Sequence, residues 1–365
     1  MPFRSRTSKG EERISHEDAG ERQLFRAKTC FVLGAGASLE AGFPIGSALL
    51  TTIMEKLNLR YKFNSLNSGD SVIAAALLQK VGGQYGEDFN EYLYAAWRIC
   101  EAAQIGLSID NVIEQHDDDY RVQLCGKIAI AVSLLAAEKN SRLMPDRYET
   151  SPDLNKMKGT WYPTFVQMLC ENVPRRSIES LFDNVPIVTF NYDRSVEYYL
   201  PQELMRVYGI DRNAADSAVS RLNIVHPYGQ VAKLASSVES GGIGYGAAGI
   251  NYLDLSENII TFSERIDDES QLARIRQPID DAEQIVFLGS AFHRQNLELI
   301  TPRTSRYRRV YATTLGIHGT EQDVVRLDLS SRFNVPNPGN CILHNGECGT
   351  MLAQNWRGIT SEMHF

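Results

Sequence analysis

The chain has 365 residues, 43% of them hydrophobic, enough to bury a full core as one large domain or as one domain with a substantial insertion. Its 37 Lys and Arg against 45 Asp and Glu leave a net charge of −8, which argues against a protein that follows nucleic-acid phosphates with clustered cations. No apolar run approaches the roughly 20 residues of a membrane span, and the first residues lack a signal peptide's apolar segment, so a cytoplasmic protein with neither a membrane nor a direct nucleic-acid partner is expected.

Residues 1–27 are charged and poor in apolar side chains and read as a flexible or partner-binding segment. From Lys28 one α/β domain is expected to run to residue 365. TCFVL, Thr29 to Leu33, is an apolar run ending in glycine and hence a buried strand; Leu50, Ile53, Met54 and Leu57 then recur at helical spacing. From about 58 to 183 the pattern turns helical. SVIAAALLQKV, DFNEYLYAAWRICEAAQI and DYRVQLCGKIAIAVSLLAAEKN run long, with Asp70 and Asp88 as N-terminal caps and Lys139-Asn140 as an ending. YPTFVQMLCE, with Pro163 near its start, adds a further helix. No strand is expected in this block. Strand-like runs return as PIVTF, NIV, QIVFL, RRVYATTL and CILH, with helix-like stretches between several of them, which is a parallel α/β pattern interrupted early by a helical module. The glycine-rich stretch Gly241 to Gly249 reads as a mobile connection. Arg303, Arg306, Arg308 and Arg309 read as a solvated basic face. Six cysteines form no CxxC pair, and the spacing of Cys341, His344 and Cys348 matches no zinc finger, so buried free thiols and no zinc are expected.

Polar or glycine-bearing segments follow four of the strand-like runs. TCFVL leads into Gly34-Ala35-Gly36-Ala37-Ser38, PIVTF into Asn191-Tyr192-Asp193, NIV into His226-Pro227-Tyr228-Gly229, and QIVFL into Gly289-Ser290-Ala291-Phe292. In open α/β sheets ligands bind beyond the carboxyl ends of the strands, so parallel strands would bring all four segments to one site. The first loop fits neither common nucleotide fingerprint. No lysine follows its glycines until Lys56, which removes the P-loop cation, and Leu39 stands where the dehydrogenase pattern needs its third glycine. What remains is a loop whose Gly34 and Gly36 permit close backbone approach to a diphosphate, with the N–H groups of Ala35 and Ala37 and the Ser38 hydroxyl as donors.

Together these segments resemble the sirtuins. GAGAS with Ala41-Gly42-Phe43-Pro44 resembles the sirtuin GAGxSxxxGIPxFR loop, Thr189-Phe190-Asn191-Tyr192-Asp193 resembles TQNID, His226 stands where a sirtuin carries its catalytic histidine, and Gly289-Ser290 resembles the step that meets the adenosine ribose. Ser108-Ile109-Asp110 and VYATTLG resemble elements of the sirtuin-like domains of bacterial antiphage defence proteins. The Phe-Arg that follows the loop proline in deacylating sirtuins is missing, and no cysteine lies between His226 and Gly289, where those enzymes carry two CxxC zinc pairs. The resemblance therefore implies a Rossmann-like parallel sheet with helices on both faces and a zinc-free NAD+ hydrolase that depletes NAD+ during infection. It implies binding by Gly34, Ala35, Gly36, Ser38, Pro44, Asp110, Gly289 and Ser290. Asn191 suits the orienting donor-acceptor and His226 a base near neutral pH, with Asp193 clamping the carboxamide or orienting its neighbours. It also implies a homo-oligomer and a separate activating partner such as a HerA-type ATPase or an Argonaute-like protein. A non-catalytic NAD+ or ADP-ribose sensor and a protein deacylase are the alternatives.

Overall fold

The computed structural model describes residues 25–83, 87–238, 240–261, 264 and 269–362. In chain order the first half contains β1 (Thr29–Leu33), α1 (Ala35–Leu39), α2 (Gly46–Leu57), β2 (Arg60–Lys62), β3 (Ser65–Ser68), α3 (Ser71–Gly82), α4 (Phe89–Ala102), α5 (Ile109–Glu114), α6 (Tyr120–Asn140) and α7 (Trp161–Cys170). The second half contains β4 (Ile187–Thr189), α8 (Ser195–Tyr208), α9 (Arg212–Val219), β5 (Ile224–Val225), α10 (Tyr252–Ser256), α11 (Glu269–Asp281), β6 (Gln284–Leu288), α12 (Arg294–Ile300), β7 (Arg309–Thr313), α13 (Thr320–Arg332), β8 (Cys341–His344) and α14 (Cys348–Thr360).

Six strands form one sheet in the order β5-β4-β1-β6-β7-β8, every pairing parallel. Numbered by appearance within this sheet, that order is 3-2-1-4-5-6, the doubly wound arrangement in which the chain reverses direction at its first strand. The strands are apolar throughout because both faces are covered. Phe31 and Leu33 of β1 pack into one core with α2–α8, while Cys30 and Val32 face a second core built with α11, α12 and α13. Helices on both faces of a Rossmann-like parallel sheet are thus the observed architecture.

The helical block is organised around α6, against which α2, α3, α4, α5 and α10 pack. Asp70 caps α3 through Val72 N (2.8 Å), Asp88 caps α4 through Asn90 N (2.9 Å), and α6 ends at Asn140, as the sequence predicted. Two expectations need correcting. Among the described residues α6 alone is long and apolar enough to cross a membrane, with 67% of its apolar window buried inside this protein; its charged ends and Lys127 interrupt the apolar run when it is read linearly. The block also holds an antiparallel hairpin, β2–β3. Its strands are three and four residues long, polar and mostly exposed, so they carry no apolar alternation, and Phe63 and Asn64 at the turn both take positive φ (51° and 61°).

Residues just before Lys28 already belong to the core. Phe25 and Ala27 are buried, Phe25 stands edge-on to Phe31 at 6.0 Å, and Asn184 donates to the Phe25 carbonyl at 3.0 Å; the rest of the N-terminal segment lies outside the described residues. The glycine-rich stretch is anchored rather than loose. Tyr245 stacks on Tyr198 (4.0 Å, 7°), and Gly246 N donates to Glu138 Oε2 at 2.7 Å. In the basic run, Arg308 is buried and its guanidinium donates to the carbonyls of Ile279, Asp280 and Arg306, a structural use of a residue expected on the surface. Glu40, just past α1, accepts from Trp161 N (2.7 Å) at the start of α7 and from Cys348 N (2.8 Å) at the start of α14. One carboxylate therefore caps two helices, and Glu40→Ala is expected to lower stability by about 1–3 kcal/mol in urea unfolding.

Candidate active site

Parallel pairing places the segments that follow β5, β4, β1 and β6 at the carboxyl ends of four adjacent strands. They are joined directly. Asn191, after β4, donates from Nδ2 to the Gly34 carbonyl (3.0 Å) and to Ser38 Oγ (2.9 Å) in the loop after β1. His226, after β5, sets Nδ1 3.0 Å from the Asn191 carbonyl, and Gly36 N donates to the Gly289 carbonyl (2.9 Å) after β6.

The glycines act first on each other. A Cβ on Gly34 would lie 2.6 Å from Gly289 O, one on Gly36 2.7 Å from Gly289 Cα, and one on Gly289 2.1 Å from Ala37 N. Gly289 also has φ +63°. The close approach that these glycines permit is thus between two protein loops at the point where the sheet order reverses. Gly289→Ala must relieve both the clash and the left-handed strain, and is expected to lower stability by about 1–3 kcal/mol in urea unfolding. Of the anticipated donors, Ala37 N is engaged by Gly34 O (3.0 Å), while the exposed Ala35 has no such bond among the described residues.

The Ser38 hydroxyl donates to Asp193 Oδ2 at 2.5 Å and therefore accepts from Asn191. Asp193 Oδ1 accepts from Ser195 N (3.0 Å) and from the Ser195 hydroxyl at the start of α8, and Tyr162 OH lies 2.8 Å from Ser195 Oγ. Asp193 is buried, which pushes its carboxyl up against the opposing pull of the Ser195 and Ser38 hydrogen bonds. Both its oxygens and the Ser38 hydroxyl are consequently engaged inside the protein. Their combined effect is a fixed amide: with Nδ2 held by two acceptors, Asn191 presents Oδ1 away from them.

Asp110 enters from the helical block. Ser108 caps α5 through Asn111 N (3.2 Å), Ile109 is buried, and Asp110 Oδ1 accepts from Tyr192 OH at 2.6 Å, so its link to Asn191 runs through the neighbouring residue. Burial raises the Asp110 carboxyl and the Tyr192 hydrogen bond opposes it. Ser290 Oγ accepts from Phe292 N (3.1 Å), and Gly289 N donates to Thr313 Oγ1 (2.8 Å), which turns the loop after β6. Pro44 is half-buried on the stretch between α1 and α2.

Sequence reasoning missed Glu197 and Gln230. Glu197 Oε1 lies 2.9 Å from His226 Nε2 and accepts from Gln230 Nε2 at 2.9 Å; the His226 and Glu197 side chains are 10% and 18% exposed. Glu197 occupies the first turn of α8, where a carboxylate suits the helix dipole, so its position in sequence signalled only a helix start. Burial would lower the His226 pKa, yet the Glu197 charge and hydrogen bond prevail and raise it; burial would raise Glu197, yet His226 holds it down. The sign of the linkage follows. The raised imidazole stabilises the fold fully below its ordinary 6.5, a contribution lost as pH rises through the raised value; the depressed carboxyl stabilises above its ordinary 4.5, a contribution lost as pH falls through the lowered value.

Among the described residues no group of three or more His, Cys, Asp or Glu side chains is placed to hold a metal ion. The class defined by this geometry is an α/β protein with a Rossmann-like parallel sheet and a hydrogen-bonded polar cluster at its carboxyl edge. No protein-family model matches the chain, and no curated protein matches it.

Proposed function

We propose that the chain cleaves the nicotinamide–ribose bond of NAD+ to give nicotinamide and ADP-ribose, as a sirtuin-like, NAD+-depleting effector of antiphage defence. The observation that carries this reading is the relay Asp193–Ser38–Asn191, which fixes the Asn191 amide and leaves Oδ1 as an acceptor at the carboxyl edge of the sheet. In such a cleavage the C1′–N1 bond breaks with both electrons passing to the pyridinium nitrogen. Nicotinamide departs neutral, so no strong general acid is required, and the oxocarbenium-like ribose is captured by water that then loses a proton. A fixed acceptor serves by orienting that water or a ribose hydroxyl, and His226, once its Nε2 is freed from Glu197, supplies the base beside it. Ala35 N and the loop after β6 remain to meet the rest of the dinucleotide.

One observation favours a second reading. Both ring nitrogens of His226 are engaged, which suits a subunit that binds NAD+ or ADP-ribose without turning it over. Incubation with NAD+ and chromatographic measurement of nicotinamide and ADP-ribose separates the two. Release by the wild type, alone or with the products of neighbouring genes, supports cleavage; calorimetric binding of NAD+ with no release under either condition identifies the sensor.

A further inference from the structure

The environment of His226 holds more than a base. The Asn191 carbonyl, 3.0 Å from Nδ1, can only accept a hydrogen bond, and Glu197 Oε1, 2.9 Å from Nε2, is a carboxylate oxygen. Two acceptors on two ring nitrogens are satisfied together by a ring that carries two protons. Gln230 Nε2 sits 2.9 Å from the same carboxylate oxygen and 3.2 Å from His226 Nε2, and its donor suits the carboxylate. The groups that face the ring are thus the Asn191 carbonyl and, at longer range, the Asp193 carboxylate from the loop after β4, Glu197 from α8, and Gln230 from the loop after β5.

We propose that Glu197 is a positioning residue that holds His226 in its doubly protonated form, so that the pH at which His226 can accept a proton is set by the α8 carboxylate. The catalytic consequence rests on the NAD+-cleavage reading; the ionisation does not. In the resting protein the imidazole offers no lone pair at pH values where a free histidine would. A pH rise, or a substrate hydroxyl that displaces Glu197 from Nε2, frees it. Glu197→Gln removes the countercharge at nearly constant shape, and burial, which acts against the charged ring, is then less opposed.

The test follows the His226 imidazole resonance by NMR across pH in the full chain, assigned with His226→Gln, and the pH profile of kcat/KM for NAD+ cleavage. The wild-type midpoint is expected above 6.5, the ordinary imidazole value, and in Glu197→Gln it is expected to fall by about 1–3 pH units, with the acid limb of kcat/KM moving alongside it. Glu197→Asp, which restores the charge, is expected to recover part of the shift. A wild-type midpoint at or below 6.5, or the same midpoint in Glu197→Gln, overturns the inference whether or not NAD+ is cleaved. Should Glu197→Gln fail to fold, the wild-type midpoint alone decides. The expected titration in a protein that releases no nicotinamide upholds the ionisation and overturns only the enzymatic reading.

Discussion

If the chain cleaves NAD+ as proposed, Asn191→Ala is expected to lower that cleavage by about two to three orders of magnitude, measured as nicotinamide released per protein chain, with the chain still folded. The size is that of removing one preorganised polar group from a site where charge develops. The direction comes from the relay. Asp193 accepts from Ser38, Ser38 accepts from Asn191, and the Gly34 carbonyl takes the second amide proton, so the amide cannot flip without breaking two hydrogen bonds. Ser38→Ala keeps the amide but removes one of its two anchors, and a smaller loss of about tenfold is expected, carried mainly in kcat because the amide's orientation is what is lost. Combining Ser38→Ala with Asn191→Ala should add little to Asn191→Ala alone, since the two side chains act as one unit. Equal rates for wild type and Asn191→Ala would remove Asn191 from the mechanism.

Arg194→Met is expected to cause the largest loss of stability, about 3–5 kcal/mol in urea unfolding. Arg194 and Glu138 are both fully buried and meet through two hydrogen bonds, Nε to Oε1 (2.8 Å) and an Nη2 to Oε2 (2.7 Å). The guanidinium also donates to the carbonyls of Lys233 (3.2 Å), Ile243 (2.8 Å) and Gly244 (3.2 Å), and Glu138 accepts from Gly246 N. Burial pushes the Glu138 carboxyl up and Arg194 opposes that push, so without the arginine the carboxyl faces burial with the Gly246 N–H as its remaining partner. An apolar pair in place of both residues would take the acceptor from the Gly246 N–H, whereas the carbonyls of Lys233, Ile243 and Gly244 would each keep a backbone donor, from Ile243, Ala235 and Ala247. Arg194 directly follows Asp193, and the loss is therefore expected to reach the Asp193–Ser38–Asn191 relay as well. Stability of Arg194→Met within 1 kcal/mol of wild type would show that the pair contributes little to holding the helical block to the sheet.

Much of the candidate site was legible because it is written locally. A strand that ends in Gly-Ala-Gly-Ala-Ser, or in Asn-Tyr-Asp, announces a polar loop at a strand end, and parallel pairing then brings those loops together with no further information. Other parts were illegible for reasons that can be named. Glu197 looks like any acidic residue in a first helical turn until His226, 29 residues later, folds against it. The hairpin β2–β3 lacks the apolar alternation that reveals a half-buried strand. Gly246 and Tyr245 lie in a stretch whose composition suggests looseness, and their anchors are Glu138, Ser141 and Tyr198, supplied by α6, its C-terminal cap and α8.

By itself, then, the sequence determined the strands of the parallel sheet, the long helices with their caps, and which residue types stand at the carboxyl ends of the sheet, because hydrophobic period and turn chemistry act over a few residues. Only the tertiary structure decided what those residues do. Gly34 and Gly36 meet Gly289 before any ligand, Ser38 and Asp193 orient Asn191, and Glu197 holds His226. Each of these depends on a hydrogen bond or a close contact between segments 29 to more than 250 residues apart in the chain, a distance over which the amino-acid pattern carries no signal of its own.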